Sequence, residues 1–282
     1  MVEWIETYRG VVAPWECDLT EHFTIAYYFD RLADAGASLA ETLGFSELAL
    51  GGPRPGRLDL RFMRELRAGA SFHILSGPLG VDDSGVRLAH RIIDSANDET
   101  VTWAAQSLHL PSASAALRES ISRRVVRWEG PAIEARPQPA TTKGFIPTAR
   151  GRIKPADLDD SGHLSLAGFV HRFTDACIQA SAAIGMTAEY VHAQRRGYST
   201  FELALQIAKA PRLGAAFLVE TGIVHLGNSS VRFLHRMSDP KGGEEFARLG
   251  QFGVQLDLDA RRPAPLPEEL RARATKILVP AS

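Results

Sequence analysis

Apolar residues recur at intervals of three and four along two stretches of the chain: Ile25, Phe29, Leu32, Ala33, Gly36, Leu39 and Leu43, and again Leu166, Val170, Phe173, Cys177 and Ile184. That period places them on one face of a helix, so the pattern predicts one helix with a buried face in each half of the chain. Gly44 and Gly185 suit the left-handed residue that closes such a helix. Between these stretches the pattern shortens to alternation. It predicts strands at 58–66, 71–80, 86–94 and 101–110, with counterparts at 201–210, 215–226, 230–238 and 246–258, and turns at 51–56, 82–85 and 227–229. An earlier strand ends near Val12 in one half and near Ile153 in the other, and each runs into a polar turn, C-D-L-T-E-H or L-D-D-S-G-H. The Asp, Ser and Thr of such turns favour helix starts. A long helix followed by an antiparallel meander is an α+β unit, with the helix against one sheet face.

The two halves share residues as well as pattern. Residues 14–45 fall on 155–186 without a gap, and eight of the 32 positions are identical: Pro14, Asp18, His22, Ala26, Arg31, Asp34, Ala35 and Gly44 meet Pro155, Asp159, His163, Ala167, Arg172, Asp175, Ala176 and Gly185. After a four-residue insertion in the second copy, 57–94 falls on 202–239 with thirteen of 38 identities, among them R-x-G-A-x-F at Arg67–Phe72 and Arg212–Phe217. V-R-x-x-H-R likewise occurs at Val86–Arg91 and Val231–Arg236. Chance would give about five identities over both stretches, so the pattern is that of an internal repeat of a unit of about 130 residues. The expected organisation is a first unit at 1–112, a linker with a helix within Ala115–Trp128 at 113–148, and a second unit with a C-terminal helix at 149–282.

Composition narrows the partners. The 282 residues carry 32 basic and 33 acidic side chains, a net charge of -1, which gives no general electrostatic reason to expect nucleic acid or an anionic membrane. Cys17 and Cys177 can form no disulfide framework and lack zinc-ligand spacing, so each reads as a small buried hydrophobe in a reducing compartment. The first residues, M-V-E-W-I-E-T-Y-R-G, lack the basic and apolar regions of a leader, and no window approaches the roughly 18 apolar residues of a membrane span. The expectation is a cytoplasmic protein.

The candidate chemistry sits at the two helix starts, where an Asp is followed four residues later by a His: Asp18 and His22, Asp159 and His163. Free backbone N–H groups and the positive end of the helix dipole stabilise an anion there. Asp is equally a common N-cap and His a common packing group, and the spacing leaves both roles open. D-D-S-G-H-L-S-L-A-G-F at Asp159–Phe169 and D-L-T-E-H-F-T-I-A-Y-Y-F at Asp18–Phe29 resemble the D-x-x-G-H-x-N-x-x-Y segment of hot-dog-fold acyl-CoA thioesterases of the 4-hydroxybenzoyl-CoA thioesterase type. L-D-L-R-F-M-R-E-L-R-A-G-A at Leu58–Ala70 resembles that family's strand after the helix, and G-Y-S-T-F-E-L at Gly197–Leu203 is similar to thioesterase-like proteins of carnitine and betaine metabolism.

The resemblance implies a tandem, double hot dog in which two fused copies replace the usual homodimer and each completes the other's site. It implies hydrolysis of a small or medium acyl-CoA without metal or redox cofactor. The motif Asp, as nucleophile or general base, matches Asp18 and Asp159, with N–H groups of the partner copy's helix start holding the oxyanion. His22 and His163 match the motif His, which would orient the turn or bind substrate. Thr24 and Ser165 stand at the motif Asn, Gly162 keeps its Gly, and Thr200 and Glu202 fall in a segment that would line the pocket. The first copy has Glu21 in place of the Gly, where close backbone approach is expected. The site on Asp159 therefore ranks above the site on Asp18.

Other chemistry-bearing positions read more plainly. His90 and His235 alternate with apolar residues and are expected as hydrogen-bonded core histidines, with Arg87, Arg91, Arg232 and Arg236 on the opposite face, solvated or ion-paired there or, as the alternative, meeting coenzyme A phosphates. Trp15, Tyr27 and Tyr28 are core packing groups or a surround for a cationic acyl group such as betainyl. Two rival functions remain at this point, a non-catalytic acyl-CoA binding module and a hot-dog enoyl-CoA hydratase. The hydratase motif, D-x-N-P-x-H, sets its pair five apart, and this chain has four and no N-P. Association beyond the internal pseudo-dimer is left open.

Overall fold

A computed structural model describes residues 3–44, 56–83, 85–109 and 114–279. The turn expected at 51–56 lies, for 51–55, outside them. In the first half β1 (Ile5–Val11) leads through a 3-10 turn at Pro14–Glu16 into α1 (Ile25–Leu43), followed by β2 (Gly56–Phe62), β3 (Ser71–Val81), β4 (Gly85–Asp94), β5 (Thr100–His109) and α2 (Ala115–Ser122). The second half runs in the same order: β6 (Ile146–Arg152), a 3-10 turn at Pro155–Asp157, α3 (Leu166–Ala183), α4 (Ala188–Gln194), β7 (Arg196–Ile207), β8 (Ala216–Leu226), β9 (Ser230–Ser238), β10 (Glu245–Asp257), the two-residue β11 (Arg262–Pro263) and α5 (Glu268–Lys276). Helix α4 has no counterpart among the described residues. It occupies the stretch where the second copy carries its insertion.

The strands of the described residues form one antiparallel sheet in the order β1-β3-β4-β5-β2-β7-β10-β9-β8-β6, with β11 beside β10. The halves meet where β2 pairs with β7, Leu58 opposite Leu205 and Leu60 opposite Leu203. These leucines face inward and join Phe29, Leu32, Phe169 and Phe173 in a single buried cluster drawn from both halves. The alternate β2 residues face away, where Arg57 holds Asp59 at 2.6 and 2.8 Å.

A buried carboxylate pins each turn to its helix. Glu16 Oε2 accepts from the Ala13 N–H at 2.8 Å while Oε1 meets Arg31 Nη2 at 2.5 Å. In the second half Asp157 Oδ2 accepts from the Lys154 N–H at 2.9 Å, with Arg172 Nη2 3.8 Å from Oδ1. Removing either arginine would strand a buried charge. Among the described residues no helix is long and apolar enough to cross a membrane.

Candidate functional site

Each Asp-x-x-x-His segment closes on itself. Asp159 Oδ1 accepts from the Ser161 N–H at 2.9 Å, the Ser161 hydroxyl at 2.6 Å and the His163 N–H at 3.1 Å. Asp18 Oδ1 repeats this with Thr20 N–H, Thr20 hydroxyl and His22 N–H at 2.8, 2.7 and 3.2 Å. The carboxylate thus builds its own turn and is not the helix N-cap; Ser165 caps α3 by accepting from the Gly168 N–H at 2.9 Å, whereas the Thr24 side chain caps nothing. The fourth turn residue is left-handed in both halves, Gly162 at φ +77° and Glu21 at φ 65°. A side chain at Gly162 would meet nothing within 4 Å. The glycine is therefore favoured by its dihedral angle, not by the close backbone approach expected from the sequence.

The histidines differ in what lies behind them. Arg212 Nε donates to His163 Nε2 at 3.2 Å. Since an arginine N–H only donates, that ring nitrogen accepts, and Nδ1 carries the hydrogen that reaches Ser161 Oγ at 2.9 Å. The chain of donors runs from Arg212 through His163 and Ser161 to Asp159 Oδ1. His22 Nδ1 likewise lies 3.0 Å from Thr20 Oγ1, but its Nε2 is 3.1 Å from the carboxylate of Glu65, which also pairs with Arg261. Burial lowers the His22 pKa against the pull of Asp18.

Two cavities lie between the halves, one at each turn. The Asp159 cavity, of about 460 Å³, is walled by Ser165–Gly168 at the start of α3, by Tyr27, Asp30, Ala33, Asp34, Gly36 and Ala37 of α1, and by Gln106 of β5. The Asp18 cavity, of about 230 Å³, meets Thr174, Cys177, Ile178 and Ser181 of α3, Met186 and Val191 around α4, and Thr200 and Gln251. Asp18 itself is exposed, whereas Asp159 is half-buried. Asp159 Oδ2 is buried and has no hydrogen-bond partner among the described residues. Burial and Asp30 raise the Asp34 pKa.

The structure brings Asp159 and Ser165 to one cavity and Asp18, His22, Thr24 and Thr200 to the other. His163 and Gly162 line neither of these cavities. Glu202 reaches neither cavity: it faces the outer side of the sheet, bonded to Arg136 at 2.8 Å and 3.7 Å from Arg61. The expected oxyanion geometry also changes, because the helix start nearest Asp159 is that of its own helix α3, not the partner copy's; Thr24 and Ile25 of α1 line the Asp18 cavity. His90 and His235 are fully buried, with Nδ1 2.7 Å from Ser76 Oγ and Thr221 Oγ1 respectively. Burial pushes their pKa values down to about 4 and about 3. Trp15 is exposed, Tyr28 belongs to the core, and only Tyr27 of the three aromatics reaches the Asp159 cavity. Cys177 is buried, and burial pushes its thiol up to about 12, which leaves it inert.

Residues 153–274 match the family model of the thioesterase-like superfamily. The match lies within the second half of the chain. A 126-residue stretch is 24% identical to an L-carnitine dehydrogenase/betainyl-CoA thioesterase of Rhizobium meliloti (strain 1021), covering 45% of this chain and 25% of that protein. The chain thus spans about a quarter of that relative's length. An acyl-ACP thioesterase from Bacteroides thetaiotaomicron superposes with a TM-score of 0.66 at 14% identity, over 87% of this chain and 96% of that one. The 12:0-ACP thioesterase from Umbellularia californica gives 0.63 at 12% identity, over 89% and 94%. The two halves together share the hot-dog fold of these structures.

Proposed function

We propose that the chain is an acyl-CoA thioester hydrolase built as a tandem double hot dog, with units at 1–112 and 149–282 joined by 113–148, and that Asp159 carries the reaction. One observation supports this above the rest: the turn consumes Oδ1 of Asp159, a residue that lines the larger cavity, and leaves its Oδ2 buried and unpartnered among the described residues. A carboxylate oxygen so placed takes a proton from water, whose oxygen adds to the thioester carbonyl. The carbon–sulfur bond then breaks and the departing thiolate takes the proton back, giving acid and thiol. The same oxygen acting as nucleophile would form an anhydride that water opens, with the same products. The N–H groups of Leu166 and Ala167 in the first turn of α3 have no intrahelical acceptor and are the donors for the oxyanion. Ser165 sits beside them as the cap. His163 positions Ser161, and through it the carboxylate.

The charge of the larger cavity favours a small acyl group bearing a cation. Asp34 and Asp160 line it with Asp159, Asp30 is paired with Arg31, and the one guanidinium of the lining, Arg57, is spent on Asp59. Tyr27 offers an aromatic face to such a group, and a relative is named for betainyl-CoA. The Asp18 site, with Thr24, His22 and Thr200, is the lesser of the two. The test is thiol release from a panel of acyl-CoA and acyl-ACP thioesters that includes betainyl-CoA. Turnover is expected on acyl-CoA and should fall about 10³-fold in Asp159→Asn. Undiminished turnover in that variant would remove Asp159 from the chemistry.

A further inference from the structure

Gln106 of β5 faces the Asp159 cavity from the opposite half of the chain. Its Oε1 is buried beside the buried His90, whose ring it meets as a side-chain hydrogen-bond acceptor, and lies 3.5 Å from where a side chain on Gly36 would begin. His90 is held in turn by Ser76 Oγ at 2.7 Å, itself 2.7 Å from Thr7 Oγ1. The side chain is half-buried and lines the cavity while its Oε1 is buried, so the accessible end is assigned to the amide nitrogen. The second half contains the same arrangement in a spent form: Gln251 stands before His235, and its Nε2 donates to Thr200 Oγ1 at 2.7 Å.

We infer that Gln106 binds the substrate of the Asp159 site, its Nε2–H group donating to the thioester carbonyl oxygen while His90 and Ser76 hold the carboxamide in place. The inference rests on the hydrolase reading for its substrate. The carboxylate with the backbone donors of Leu166 and Ala167, and a further side-chain donor for the carbonyl, would then come from different halves, and the site would be incomplete in either alone. Such a donor is aimed at charge that grows as the carbonyl is attacked, so it acts on kcat more than on KM. Gly36, where the other half has Cys177, leaves room above the amide.

The probe is a betainyl-CoA ketone in which a methylene replaces the thioester sulfur and the carbonyl carbon is labelled, observed by infrared difference spectroscopy. In the wild-type complex the carbonyl stretch is expected below its value in water. In Gln106→Met and in Gln106→Glu, which keeps an acceptor and the side-chain shape but loses the donor, the stretch should rise again. Turnover of betainyl-CoA should then fall about 10²-fold in kcat with KM within about twofold. Two variants guard against one of them failing to fold. An unchanged stretch and unchanged kcat in both would overturn the role of Gln106 and leave the hydrolase reading intact. A wild-type chain that shifts the ketone carbonyl through Gln106 yet turns over no thioester would do the reverse. Absence of ketone binding by the wild-type chain would also overturn the contact.

Discussion

The turns at Asp159 and Asp18 hold their carboxylates by the same three donors, yet one ends in a buried free oxygen and the other stands exposed. What separates them lies around the turn. Behind His163 is a guanidinium, and behind His22 a carboxylate already shared with Arg261. Across the cavity, Asp159 faces Ala33, Gly36 and Ala37, whereas Asp18 faces their counterparts Thr174, Cys177 and Ile178. Small residues on α1 accompany a cavity of about 460 Å³, and bulkier ones on α3 one of about 230 Å³. A motif can therefore persist as a fold element after its surroundings have changed, because the turn needs Oδ1 whether or not Oδ2 has work to do.

The strongest challenge to this contrast is paired substitution. Asp159→Asn should cost about 10³-fold in thioester turnover and Asp18→Asn no more than a few-fold, measured as kcat on one acyl-CoA. Equal losses would mean that the two turns are functionally alike. Next, Ala37→Ile gives the larger cavity the side chain found in the smaller one and should lower kcat/KM about 10²-fold by excluding substrate. If activity survives it, size is not what distinguishes the two.

The buried histidines test what the halves share. His90 and His235 stay neutral in the folded chain, with pKa values near 4 and 3 against 6.5 when exposed. Unfolding lets them take protons, so stability should fall as pH drops below about 6.5, by roughly 1.4 kcal/mol per pH unit for each ring. The loss should run to lower pH for His235. Chemical denaturation between pH 7 and 5 reads the slope, and His90→Gln or His235→Gln should flatten it. The smallest effect belongs to the strained position: Glu21→Gly should stabilise by about 0.5–1 kcal/mol and Gly162→Ala destabilise by about 1 kcal/mol, read as shifts of the urea midpoint.

Much of this was legible in the sequence. The three-and-four period gave α1 and α3, alternation gave the meanders, and the repeat placed both Asp-x-x-x-His turns. Local chemistry was enough for these. Contacts between distant segments were not: Arg212 lies 49 residues from His163, and nothing in the identity of Arg67 with Arg212 says that only the latter bonds its histidine. Gln106 and Gln251 fall just past the aligned stretch, where extending the same offset would have paired them. Alternation along β7 puts Leu203 inward and hence Glu202 outward, a signal that was present and outweighed by the resemblance of the surrounding segment. Helix α4 carries its own cap, Thr187 accepting from the Tyr190 N–H at 3.2 Å, but seven residues are too few for a period to show.

The hydrogen bonds between β2 and β7 tie both turns into one sheet of a single polypeptide. In an assembly of two identical chains, any substitution is written into both cavities at once, and neither can change alone. Here each substitution is written once. The seam thus releases the molecule from its own symmetry: Gly36 and Cys177 occupy related places and were free to become different residues, and the two cavities to take different volumes.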